Sequence, residues 1–494
     1  MNREKEPNRI SSSPIIILIF ILMAGMICSG YAQEHTKLNN IICGIWQGVI
    51  KTSGFELQMI FTISQNTDSI FIVTLDVPEQ NAIGIPVDKV NIDSNSVHLE
   101  ITPVEAVFNG KYIKDGETID GQWTQGGMSL PLVLKRSDVK FVIKRPQEPK
   151  EPFPYSVEEV VFINTDANIT LAGTFTFPHS EGTFPAVLLI SGSGPQDRDE
   201  AVFGHRPFFV LADYLTKSGI AVLRVDDRGI GGSTGDFDQA TAIDFTSDAI
   251  AGVSYLKSRK EINQEKIGLI GHSEGGMIAP MVAVKNPSVA FMVLIASPGL
   301  AIKEMEHSGR ARDFKSKGAG EDLIARERVV LENLFEVLLQ ETDSSAVREL
   351  FAKIIRESFE GLSEEERKII EISEQNLEAY IHEQFLRLHS PWFRYYLTYD
   401  PGKVLQKISI PVLAINGGKD IQVPARENLQ AIKTALETGG NKNYAIEELP
   451  DLNHLLQTAE TGNIYEYVEI EETMSPKALQ VITDWILEVT ATQH

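Results

Sequence analysis

The sequence predicts an α/β protein: a mostly parallel sheet with helices on both faces, interrupted by a helical cap insertion and preceded by a small all-β domain. Three observations carry that expectation. From Val157 onward, short apolar runs alternate with amphipathic helical patterns, the order that builds a parallel sheet. Between Leu300 and Lys407 the alternation stops and charged, helix-periodic sequence takes over. Ahead of both, residues 44–144 show the period-two pattern of half-buried strands.

With 494 residues, 43% of them hydrophobic, the chain is long enough for two or three domains with sizeable cores. Its formal net charge of −23 argues against nucleic acid as a partner. Residues 1–32 read as an export signal. Arg3, Lys5 and Arg9 form a basic start diluted by Glu4 and Glu6, and Pro14 to Ile27 form an apolar core. Gly30-Tyr31-Ala32 then offers a cleavage site before Gln33. The apolar run is short for a membrane span, so cleavage and a secreted or periplasmic location are expected rather than a retained anchor. Ile27 stands before Cys28 where a lipoprotein signal needs a small residue. Cys43 is then the single cysteine of the mature chain, with no internal disulfide to make, and is expected to be buried.

In the all-β domain (33–143), Phe55, Leu57, Met59, Phe61 and Ile63 alternate with mostly polar neighbours, and 69–75 and 97–101 read similarly. Lys114-Asp115-Gly116-Glu117 is a hairpin signal. Trp46 and Trp123 are read as core before sugar-stacking. Residues 144–156, with four prolines and many charges, read as a linker. The first part of the α/β core (157–299) begins with two strands, 158–163 and 169–177. Strands follow at 186–190, 221–225, 267–270 and 291–296, with helices at 206–216 and 242–256. The cap (300–407) carries three apolar stripes: Leu331, Leu334, Phe335 and Leu338; Val347, Leu350, Phe351, Ile354 and Ile355; and Leu377, Tyr380, Ile381, Phe385 and Leu388. The aromatic run around Trp392, Phe393, Tyr395 and Tyr396 ends it and is read as cap-to-core packing first, pocket wall second. The second part of the core (408–494) has strands at 410–415 and 443–449 and helices at 425–436 and 476–489.

The chemistry centres on Gly271-His272-Ser273-Glu274-Gly275. A buried strand precedes it and an apolar helical pattern follows. Glycines flank a turn too tight for side chains, and the strained backbone holds the Ser273 hydroxyl out at the strand end. A serine nucleophile needs a base, and the base needs an anion to orient it. Asp420 follows the next-to-last strand and His454 the last, in the order Ser, acid, His. Of ten histidines only His454 occupies that final loop. Asp451 is the rival acid but lies too close in sequence to His454. His272 is expected to pack or hydrogen-bond, not to act as base. The backbone N–H of Glu274 is one candidate oxyanion donor. The second comes from Ser191-Gly192-Ser193-Gly194-Pro195-Gln196, with Ser193 ahead of Gln196. Asp197-Arg198-Asp199 and the loop from Asp226 to Ser233 are read as structural ion pairs. The latter lacks a P-loop lysine and a dinucleotide glycine spacing, and no histidine pair has zinc spacing, so no metal and no cofactor are expected.

These motifs together, over residues 157–490, resemble the α/β-hydrolase superfamily, and more narrowly bacterial carboxylesterases grouped with serine aminopeptidase and acyl-thioester-hydrolase-like sequences. The matching pieces are Ser191 to Pro195 with Asp197 to Asp199, Asp226-x-Arg228-Gly229, Gly271 to Gly276, Gly418-x-Asp420 and Asn453-His454. Such relatives often carry Gly where Asp451 stands. The β-rich front domain resembles that of some such esterases through much weaker motifs. The resemblance implies hydrolysis of a small-molecule ester through an acyl-enzyme on Ser273. A peptidase or thioesterase with the same triad is the alternative, and a non-catalytic glycan-binding protein a third reading that the intact Ser, Asp and His oppose.

Overall fold

The computed structural model describes residues 42–491 apart from 52–55, 67–69, 81, 94, 114–116 and 139–143. The expected signal, residues 1–32, and the Lys114-Asp115-Gly116 turn lie outside the described residues. Among the described residues no helix is long and apolar enough to cross a membrane. The chain divides into two compact units, one ending at Val142 and the other starting at Ile143.

The first unit is an antiparallel meander of β1 (Gly44–Lys51), β2 (Glu56–Gln65), β3 (Phe71–Val77), β4 (Ala82–Pro86), β5 (Lys89–Ile92), β6 (Ser96–Ile101), β7 (Ala106–Tyr112), β8 (Thr118–Gln125) and β9 (Met128–Ser137). The spatial order is β4-β3-β2-β1-β9-β8-β7-β6-β5. Because β1 pairs with both β2 and β9, the meander curls into one sheet around one core. Alternate residues such as Trp46, Phe61, Leu75, Leu99 and Phe108 fill that core. Trp46 is fully buried and donates its indole N–H to the Ile42 carbonyl at 2.7 Å, and Trp123 is buried too, so both are packing residues. Cys43 departs from expectation: it is half-buried. Its backbone carbonyl accepts from Arg136 at 2.7 Å, and desolvation, partly offset by that guanidinium, raises its thiol pKa.

The second unit is built on β10 (Tyr155–Asn164), β11 (Ile169–Pro178), β12 (Phe184–Ile190), β13 (Ala221–Val225), β14 (Ile262–His272), β15 (Val289–Ile295), β16 (Val412–Gly417) and β17 (Tyr444–Leu449). Their order is β10-β11-β13-β12-β14-β15-β16-β17, and only β11 runs against its neighbours. Successive residues of each strand feed opposite faces. Leu188 joins the core under α2 (Ala242–Ser258), α3 (Glu274–Lys285) and α11 (Ala425–Thr438). Val187 and Leu189 join the core under α1 (Pro207–Lys217) and α12 (Pro476–Ala491). Both faces are therefore dry, which is why these strands read as continuous apolar runs.

Between β15 and β16 lie α4 (Ile302–Ser316), α5 (Glu321–Gln340), α6 (Ser344–Glu360), α7 (Glu364–Ile369), α8 (Leu377–Leu388), α9 (Pro391–Thr398) and α10 (Pro401–Leu405). The expected stripes meet in a core of their own containing Leu331, Phe335, Val347, Phe351, Ile381 and Phe385. Leu350 does not join it and is 39% exposed, because it sits at the margin of the α6 stripe. Phe393 packs into the cap core while Tyr396 packs into the sheet core, so α9 fastens one to the other.

The stretch expected as a free linker is docked on the second unit. Arg145 donates to the carbonyls of Phe203, Gly204, Val468 and Ile470. Gln147 bonds the Met474 backbone, and Glu148 pairs with Arg206 at 2.8 Å. Strand β10 already starts at Tyr155.

Candidate active site

Ser273 is the single residue between β14 and α3, with φ 50° and ψ −115°, a conformation rare for any residue with a side chain. Its N–H donates to the Ile295 carbonyl at 2.8 Å, and its carbonyl accepts from Gly276 at 2.9 Å. The flanking glycines are a steric requirement. A Cβ on Gly271 would lie 2.1 Å from the Gly275 carbonyl oxygen, one on Gly275 2.1 Å from that of Ile190, and one on Gly276 2.4 Å from the Ser297 side chain. Strand, turn and helix thus pack too closely for anything but glycine.

Asp420 lies just beyond β16 and His454 just beyond β17, at the same edge of the sheet as Ser273, because the strands involved run parallel. The Asp420 side chain is wholly buried. One carboxylate oxygen takes the N–H groups of Gln422 and Val423 at 2.8 Å each, and the other meets His454 Nδ1 at 2.7 Å. An ionised carboxylate only accepts, so Nδ1 carries the proton and Nε2 is left as the basic nitrogen. Asp451 is exposed and has no part in this pair. Among the described residues no hydrogen bond joins the Ser273 hydroxyl to the imidazole.

The loop after β12 runs beside the elbow: a Cβ on Gly192 would lie 3.4 Å from that of Ser273. Two of its N–H groups are already engaged. Gly192 donates to Glu200 at 2.6 Å and Gln196 to Asp227 at 3.0 Å, which removes Gln196 as an oxyanion donor. The N–H groups of Ser193 and Glu274 have no partner among the described residues, and that of Glu274 opens α3, where the helix dipole favours negative charge. Asp197, Arg198 and Asp199 are structural. Asp197 accepts from the N–H groups of Asp199 and Ala201, Arg198 bridges Asp226 and Glu159, and Asp199 pairs with buried Arg224. Arg228 likewise binds Asp244 and Asp248.

Three carboxyl groups around the elbow have roles that the sequence did not announce. Glu200 is buried and accepts from His272 Nδ1 at 2.8 Å. Glu274, also buried, accepts from Trp392 Nε1 at 2.7 Å and Tyr396 Oη at 2.8 Å, both on α9, so the cap is tied to the first residue of α3. Burial pushes the Glu274 carboxyl up to about 7 against the pull of those two donors. Asp227 is pushed up to about 7 as well, by burial first and then by the charges of Glu274 and Glu200. Both line a cleft of about 50 Å³ with Ser191, Gly192, Phe237 and Phe245. Among the described residues no group of three or more His, Cys, Asp or Glu side chains is placed to hold a metal ion.

Comparison with known proteins matches this framework. The family model for the alpha/beta hydrolase fold matches residues 185–457. Esterase EstD of Thermotoga maritima is 27% identical over 393 residues, 79% of this chain and 83% of its own length. A 31.7 kDa protein of Escherichia coli, encoded between traX and finO, is 24% identical over 282 residues, 56% of this chain and 85% of its own. A solved esterase of Pyrococcus furiosus aligns over 71% of this chain and 99% of its own, at 16% identity and a TM-score of 0.42. With strand order, serine elbow and family model in agreement over more than half its length, the chain belongs to the α/β-hydrolase fold family.

Proposed function

We propose that this protein is an exported serine hydrolase that cleaves carboxylic esters through an acyl-enzyme on Ser273, with Asp420 and His454 completing the triad. One observation carries the reading: a strained serine elbow and a buried Asp420–His454 pair stand at the same edge of a parallel sheet. The match to an esterase over most of that protein's length supports the choice of ester. In this mechanism His454 Nε2 takes the Ser273 proton as the hydroxyl oxygen attacks the ester carbonyl. The N–H groups of Ser193 and Glu274 hold the oxyanion, each lowering the barrier by about 3 kcal/mol. The imidazolium then protonates the leaving alcohol, and water attacks the acyl-enzyme by the same route.

The test is covalent labelling with a fluorophosphonate and mass mapping of the modified residue, alongside turnover of a p-nitrophenyl acyl ester. Label should fall on Ser273, and Ser273→Ala should lower kcat by about a million-fold. Label on another residue, or turnover that survives Ser273→Ala, would sink the reading. A panel of ester, thioester and aminoacyl amide substrates ranks the leaving groups, with the ester expected first. Export predicts a mature chain beginning at Gln33, which amino-terminal sequencing of the secreted or periplasmic protein checks.

A further inference from the structure

We propose that His272 is a doubly protonated imidazolium which, paired with Glu200, clamps the loop after β12 to the backbone of His454 and so positions the groups around Ser273. The proposal rests on the serine-hydrolase reading above and assigns to it a residue pair that neither the triad nor the oxyanion donors include.

The hydrogen bonds make the case. His272 Nε2 lies 3.1 Å from the carbonyl oxygen of His454. A carbonyl only accepts, so Nε2 carries a proton. His272 Nδ1 lies 2.8 Å from Glu200 Oε1, and that same oxygen accepts the Gly192 N–H at 2.6 Å. The 2.6 Å Gly192 contact is of the short, charge-assisted kind that an ionised carboxylate accepts, and a carboxylate has no proton to give, so Nδ1 supplies the proton of the second contact. Imidazole has both nitrogens as donors only when charged.

Burial agrees with the geometry. Glu200 is 3% exposed and His272 7% exposed. In so enclosed a place a carboxylate and an imidazolium compensate each other's charge, as neither could alone, and the two are in direct contact. Desolvation opposes charge on His272, but the Glu200 carboxylate, the His454 carbonyl and the more distant Asp420 outweigh it and raise its pKa. The other titratable group against it is the His454 ring, with centroids 4.9 Å apart.

The clamp joins three segments far apart in sequence. Gly192 precedes the proposed oxyanion donor Ser193, His272 precedes Ser273, and the held carbonyl belongs to His454 itself. One bonded chain, Gly192 N–H to Glu200 to His272 to the His454 carbonyl, thus sets the spacing of oxyanion loop, elbow and base loop. It also fixes a positive charge one residue from the nucleophilic serine, whose attack turns the substrate carbonyl into an oxyanion. Glu200 reaches this place through a left-handed backbone, φ 53°. His272 and Glu200 are positioning residues, since neither is assigned a contact with substrate.

The test has two arms. Ring-¹⁵N-histidine NMR of the full chain, with His272 assigned by difference from His272→Gln, should show both His272 nitrogens protonated at about pH 7. A bare ring nitrogen there would overturn the proposal whether or not the protein turns over esters. Glu200→Gln keeps an acceptor for Gly192 but removes the charge. It should lower kcat by about 10–100-fold while KM stays within about twofold, with fluorophosphonate labelling of Ser273 slowed in parallel. Wild-type kcat and pH profile in that variant would overturn the clamp. A wild type that neither hydrolyses esters nor takes label would overturn the hydrolase reading and, with it, the clamp's positioning role, while the histidine spectrum still decides the imidazolium.

Discussion

Glu274 shows how much a single residue of the elbow is asked to do. Its N–H is a proposed oxyanion donor, and its carboxyl, buried and pushed up to about 7, accepts from two cap side chains. In an unfolded chain that carboxyl titrates near 4.5. The folded state therefore binds the proton more tightly across the window from about pH 4.5 to 7, and stability falls as pH rises through it. Glu274→Gln keeps an oxygen for Trp392 and Tyr396 yet never ionises. Its stability advantage over the parent should widen by about 2 kcal/mol between pH 5.5 and 8.5. Urea unfolding at the two pH values checks this, and an advantage that shrank toward alkaline pH would contradict it. Trp392→Phe acts through the same contact from the cap side. It strips one donor from a buried acceptor at a cost of about 1–3 kcal/mol, read from the same unfolding curves.

At the scale of elements, the elbow works because β14, α3 and β12 approach as closely as backbones can. Gly275→Ala places a methyl 2.1 Å from the Ile190 carbonyl oxygen and 2.7 Å from that of Ser191, and neither is the end of a flexible side chain. The helix must shift off the sheet, so a loss of about 3 kcal/mol or more is expected. Gly309 in α4 is the control, since a Cβ there meets nothing within 4 Å. Gly309→Ala should stabilise the cap by about 0.5–1 kcal/mol through helix propensity and a less free unfolded chain. Denaturation midpoints of the two variants should move in opposite directions. The glycine requirement was legible in Gly271 to Gly276 because steric demand leaves a residue-type signature. The same holds for the strand runs, whose two dry faces force unbroken apolar sequence, and for Asp420 and His454, which stand directly after strands. Glu200 was not legible, because a carboxylate in a polar loop looks solvated until His272 arrives from 72 positions away. Gln196 failed as a donor for a similar reason: Asp227, which takes its N–H, comes from the neighbouring strand's loop.

Across the whole molecule, the least legible feature is where the second unit begins. Residues 144–156 have the composition of a free tether, yet many of their contacts are with backbone groups, carbonyls above all, which carry no sequence signature. Arg145 alone serves four of them, on the segments 203–204 and 468–470. Burial pushes its guanidinium down to about 10, so it remains charged at neutral pH and bonds these carbonyls as a cation. The clasp lies over the chain just after Glu200 on one side and follows the His454 loop on the other, so it braces both arms of the proposed site. A fragment beginning at Ile143 keeps the clasp, the Gln147 contacts and the Glu148–Arg206 pair, along with both sheet cores. It should unfold cooperatively, with a stability within about 1 kcal/mol of that transition in the full chain. A fragment beginning at Val157, where the sequence alone puts the boundary, leaves those carbonyls and Arg206 without their partners and should lose about 3–5 kcal/mol. Ester turnover separates the two further: the longer fragment should match the full chain, while the shorter should lose kcat even at temperatures where it stays folded, because the segments 203–204 and 468–470, which follow Glu200 and His454, lose the brace that Arg145 gives them. Equal stability and equal kcat in both fragments would show that the docked stretch is only a tether.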